Sequence, residues 1–157
     1  LFLFILSIIL SLITFAGFSQ EDYAPEVPEI PVEMIFDKSL YSMNEGNMYM
    51  SMDPVAFVLA TVLPVPYDAA KTEIFGGAPD PELHDLKSGE LTENGKTYSY
   101  QTANVKSDDG KDLIMEMYII KIDEDNSMMV SGAYDVKSKT KFEKEIKKAA
   151  LSAKPVQ

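Results

Sequence analysis

The chain contains no cysteine, no arginine and a single histidine, His84. Each absence excludes something. Without cysteine there are no disulfides, no thiol nucleophile, no zinc–thiolate site and no lipoprotein-type cut, which needs a cysteine. All 14 basic residues are lysine, so the guanidinium forks that read phosphates and bases are missing and no nucleic-acid partner is expected. The formal net charge of −11 argues against tight binding to an anionic membrane surface and fits a soluble, acidic exterior. Phosphate loops of the G-x-x-x-x-G-K or G-x-G-x-x-G type do not occur, and no cofactor is expected.

What is present begins with LFLFILSIILSLITFAGFSQ, uncharged from Leu1 to Phe18. A spanning helix needs about 20 apolar residues, so length alone does not separate an anchor from an export signal. The flanks favour export. Gly17-Phe18-Ser19 places small residues two apart, as a signal peptidase requires, and QEDYAPEVPEIP follows with no basic residue to hold an anchor. Cleavage is expected between Ser19 and Gln20. Residues 1–19 then form a signal peptide, 20–31 a flexible acidic proline-rich leader, and 32–157 a single domain. A secreted or periplasmic location follows, with no stable membrane insertion after cleavage.

The second half of the chain reads as a four-stranded antiparallel meander. Asn94-Gly95 and Asp109-Gly110 are hairpin turns between alternating runs, and DEDNS (123–127) is a third. LIMEMYIIKI (113–122) is apolar on both faces, so each side of it needs a covering layer. A closing helix carries Phe142, Ile146, Ala149, Ala150 and Ala153 on one stripe, with a capping box predicted from Thr140 and Glu143 and an end marked by Pro155. In the first half, VEMIF (32–36) is strand-like and NMYMSM (47–52) is a short strand after a turn. YDAAKTEIF (67–75) is an amphipathic helix, and GAPDPELHD (77–85) is a loop. VAFVLATVL (55–63) is apolar throughout and ambiguous by periodicity; Asp53-Pro54, read as a cap followed by a first-turn proline, favours helix. The fold class is therefore α+β: an antiparallel meander sheet covered by helices, with the C-terminal helix packed on it.

The segments GKTYSYQTANVKSDDGKDLIMEMYIIKIDEDNSMMVSGAY (95–134) and KFEKEIKKAALSAK (141–154) resemble the end of a PsbP-like domain, an α/β/α arrangement of photosystem-associated lumenal proteins and of secreted or envelope proteins of bacteria. The first half, with DPVAFVLATVLPVP, departs from that pattern. The resemblance implies a non-catalytic binding or accessory role and carries no functional residue across.

Candidate chemistry is sparse. His84 lies near a loop with neither a G-x-S-x-G elbow nor an H-E-x-x-H motif in the chain, and reads as a solvated side chain. The clusters DDGKD (108–112) and DEDN (123–126) resemble the start of a calcium loop, but both fail the EF-hand spacing. From Asp123 the sixth and twelfth positions are Met128 and Tyr134; from Asp108 they are Leu113 and Ile119. Turn chemistry accounts for both. The most unusual feature is the nine methionines. Met48, Met50 and Met52 share one face if extended, and three thioethers suit Cu(I). The competing and favoured reading is that methionine fills the core.

The function expected is an exported, non-enzymatic binding or accessory protein of the cell envelope, with an unknown protein or small ligand as partner. A methionine-based Cu(I)-binding protein is the alternative, and a carboxylate hydrolase the weakest one, since nothing in the sequence selects a pair of carboxylates.

Overall fold

Turn chemistry builds the second half as expected. In the computed structural model, which describes residues 30–78, 80–107 and 109–156, Asn94 and Gly95 both adopt left-handed backbone angles, φ 53° and 75°. That pair closes the tight hairpin between β5 (His84–Glu93) and β6 (Lys96–Lys106). Gly110, φ 78°, turns β6 into β7 (Asp112–Lys121). The turn to β8 (Ser127–Asp135) is held by the Asp123 carboxylate, which accepts the Asp125 and Asn126 amides at 2.9 and 2.8 Å.

The first half adds three strands to this meander: β2 (Met43–Glu45), β3 (Met48–Met52) and β4 (Val55–Leu63). Gly46, φ 54°, closes the β2–β3 hairpin. The helix expected over 55–63 is a strand instead. Asp53-Pro54 is the β3–β4 turn, not a helix cap, and β4 lies between β3 and β8 with Ala56 and Val58 on one face and Val55 and Phe57 on the other. Burial on both faces removes the alternation that would have marked it as a strand. Antiparallel pairing joins the strands in the order β2-β3-β4-β8-β7-β6-β5, so β8 sits at the centre of an open seven-stranded sheet.

The two helices cover opposite faces. On one, α1 (Tyr67–Phe75) places Ala70 against Ile119 and Met129. On the other, α2 (Lys139–Ser152) packs Phe142, Ile146, Ala149 and Ala150, all fully buried, onto Val58, Tyr118, Val130 and Tyr134. Close approach of α2 requires Gly132: a Cβ there would lie 2.7 Å from Ile146 Cδ1 and 3.0 Å from the Phe57 carbonyl oxygen.

The capping box expected at Thr140 does not form. Asp135 instead accepts the Lys137 amide at 2.8 Å and caps a short 3-10 turn, Val136–Ser138, that runs into α2. Thr140 is already inside the helix, which begins at Lys139. Pro155 is not simply the helix end either. It lies in β9 (Lys154–Pro155), which pairs with β1 (Val32–Glu33), and Glu33 meets Lys154 at 2.8 Å. Ile30 and Pro31 are tied down beside this pair, their carbonyls accepting from Asn47 Nδ2 and the Val156 amide, each at 2.8 Å. The expected signal peptide, its cut at Ser19 and Gln20, and the rest of the leader lie outside the described residues. No helix among the described residues is long and apolar enough to cross a membrane.

Candidate functional site

The two faces of the sheet hold different chemistry. Beneath α2 lies a polar cluster inside the apolar core. Glu116, on β7, is 3% exposed. Tyr118 donates to its Oε2 at 2.8 Å and Tyr134 to its Oε1 at 2.6 Å. Burial pushes the Glu116 carboxyl above its ordinary range, and the two phenol hydrogen bonds pull it partly back. Burial, and then the neighbouring carboxylate, raise both tyrosines. Aromatic rings wall the cluster: Phe142 stacks on Tyr134 at 6.4 Å, and Tyr41 meets the Phe142 edge at 5.6 Å. The other buried carboxylate, Glu145 on α2, accepts the Asp37 amide at 2.8 Å and Lys148 Nζ at 2.7 Å. Both groups tie elements together. Their acceptor oxygens are engaged by protein donors, so neither is poised as an acid or base toward a cleft.

Glu116 was not among the residues singled out in the sequence. The available signal was an isolated glutamate inside an apolar strand, two residues before a tyrosine that it faces on the same side.

The sequence candidates for ion or acid–base chemistry are placed apart. His84 is exposed on the edge strand β5, opposite Asn104. Asp109 accepts from Ser107 and Lys111, which hold its carboxyl down to about 2. Asp123 is held low by the backbone amide of Asp125 and by Asn126. These carboxylates serve their own turns. Asp108 lies outside the described residues. No three His, Asp or Glu side chains group as a metal cage among the described residues.

Methionine dominates the face opposite α2. Pairing registers align Met43, Met50, Phe57, Ala133 and Met115 in one row across β2, β3, β4, β8 and β7. The next row runs Glu45, Met48, Leu59, Ser131 and Met117. Met52 pairs with Val55 on the same face, and Met129 lies there beneath α1. The sequence triad Met48, Met50 and Met52 is thus brought to one face, as alternation requires. Register adds Met43, directly opposite Met50, which was not singled out. Its signal was the pattern M-N-E-G-N-M-Y-M, in which a turn at Gly46 folds Met43 back onto Met50.

Burial divides these methionines. Met117 and Met129 are core residues at 5% and 4% exposure. Met48 and Met50 are half-buried. Met43 and Met52, at 42% and 51%, stand in solvent. Core filling explains the first pair and not the last. In the second row the Ser131 hydroxyl is buried and has no hydrogen-bond partner.

No family model matches the chain, and no curated protein matches its sequence. Solved structures share its architecture. LpqN of Mycobacterium tuberculosis, described as involved in cell envelope biogenesis, superposes with a TM-score of 0.52 at 7% identity, over 84% of this chain and 87% of that one. The Pseudomonas aeruginosa protein PA94, of unknown function and described as a putative regulator, gives 0.51 at 10% identity, over 89% and 96%. A cyanobacterial PsbP from Synechocystis sp. PCC 6803 gives 0.40 at 10% identity, over 85% and 98%, a weak likeness. At these identities the likeness is one of fold alone.

Proposed function

We propose that this chain is an exported, non-catalytic binding or accessory protein of the cell envelope. The observation that carries the reading is the state of the buried carboxylates. Glu116 is bonded by two tyrosines, and Glu145 by a lysine and a backbone amide. A carboxylate hydrolase instead needs two carboxyl groups facing a substrate, one of them protonated toward it. The fold shared with an envelope-biogenesis protein supports the location, as do the apolar run and acidic leader ahead of the domain.

Fractionation of the native cell tests the location, and chemical cross-linking of intact cells tests the role. The expected result is recovery outside the cytosol, with a discrete heavier cross-linked species. Phe142→Ala, which weakens the domain, should reduce that species. Recovery in the cytosol, or monomer alone after cross-linking, overturns the reading.

A further inference from the structure

We propose a monovalent soft-metal site, for Cu(I) or Ag(I), at the β2–β3 edge of the sheet, formed by the thioethers of Met43, Met50 and Met52. The proposal goes beyond the accessory reading and does not depend on it.

Three observations carry it. The first is register. Met43 and Met50 are direct antiparallel partners, and Met52 follows Met50 by two residues, so all three side chains leave the same face of the hairpin. Directly opposed side chains have Cβ atoms about 4.5–5.5 Å apart, and diagonal ones about 7–8 Å. The long, unbranched methionine side chain, with three rotatable bonds, spans that spacing.

The second is exposure. Met43 and Met52 are 42% and 51% exposed. They bury too little surface to serve as gap-fillers, and an exposed apolar pair on an edge hairpin is a liability that proteins usually relieve with charge.

The third is donor chemistry. The chain has no cysteine, and its one histidine lies on the opposite edge strand, β5, so thioether is the soft donor concentrated at β2–β3. Thioether sulfur selects soft ions such as Cu(I) and Ag(I) over Ca(II) or Mg(II), which prefer oxygen donors. Glu45 stands opposite Met48 on the same face. With the chain's net charge of −11 it favours approach of a cation.

The test uses the purified protein with its methionine methyl groups labelled with carbon-13 and assigned. Ag(I), an air-stable stand-in, is titrated in chloride-free buffer, and Cu(I) is titrated anaerobically against bicinchoninate. One equivalent should saturate the protein. The methyl signals of Met43, Met50 and Met52 should move, while those of buried Met117 and Met129 stay. Met43→Leu should lose saturable binding with its urea midpoint kept, because leucine preserves volume and apolarity. Met117→Leu should bind as the parent does. Shifts that never saturate, shifts that spread to Met117 and Met129, or full binding by Met43→Leu each overturn the site. If Met43→Leu does not fold, the methyl shifts of the parent protein decide alone.

Discussion

The Tyr134 hydroxyl donates to Glu116 Oε1 at 2.6 Å across the central strand pair, beneath the ring of Phe142. Gly132, the residue facing Glu116 in the β7–β8 register, lies two positions before Tyr134 on the same side and admits Ile146 of α2 above it. One small region of the sheet thus sets a buried acid, its hydrogen bonds and the seating of the C-terminal helix.

The buried acid predicts a pH dependence. Burial raises the Glu116 carboxyl above its ordinary value of 4.5 in the folded state. Proton binding therefore favours the fold: this contribution is complete below the ordinary value and is lost as pH rises through the folded-state value. Glu116→Gln cannot titrate. Its urea midpoint should gain on the parent's as pH rises from about 4 to about 7, across the ordinary carboxyl range. A gap that stays constant with pH would show that Glu116 does not titrate differently on folding.

The helix contact predicts a stability difference between two faces of α2. Phe142 is fully buried, and Lys144 is exposed. Phe142→Ala should cost about 3–5 kcal/mol, from lost transfer energy and the cavity left behind. Lys144→Ala should change stability by less than about 0.5 kcal/mol. Urea melts of the two variants beside the parent measure both, and equal midpoints would contradict the packing.

Gly132 is expected to be intolerant of any side chain. A new Cβ would sit 2.7 and 2.9 Å from two carbons of Ile146 and 3.0 Å from the Phe57 carbonyl. Overpacking of this kind costs about 1–3 kcal/mol. Gly132→Ala should lose that much, and adding Ile146→Val, which removes Cδ1, should recover part of it. Strict additivity in this double-mutant cycle would mean that the two residues do not press on each other.

Tyr41 is 8% exposed, and its hydroxyl has no hydrogen-bond partner. A buried, unpaired polar group is a net cost of about 1–3 kcal/mol. Tyr41→Phe keeps the ring contacts with Phe36, Tyr49 and Phe142, so thermal unfolding of that variant should occur higher than in the parent. A lowered midpoint would mean that the hydroxyl is satisfied in solution.

Export predicts a mature N-terminus within a few residues of Gln20, because Gly17-Phe18-Ser19 is the small-x-small site between the apolar run and the acidic leader. N-terminal sequencing or intact mass of the protein from its native cell measures it. Retention of residues 1–19 in a membrane fraction would overturn the cleaved-signal reading.

Much of this molecule was legible in the chain because its signals are local. Asn94-Gly95 and Asp109-Gly110 turn where they do because glycine and asparagine tolerate left-handed backbone angles. The stripe Phe142, Ile146, Ala149, Ala150 follows from helical spacing alone, and the shared face of Met48, Met50 and Met52 from strand alternation. Tertiary structure decided what local signals leave degenerate. Val55–Leu63 is a strand because β3 and β8 flank it and its two faces both find cover; an all-apolar run has no period from which to read that. Thr140 is no cap because Asp135 starts the helical turn earlier. Met43 joins Met50 through cross-strand register, and Glu116 meets Tyr134 through the pairing of β7 with β8. Alternation says which side chains share a face, but only the assembled sheet says which face is covered, what lies opposite, and which thioethers remain in water.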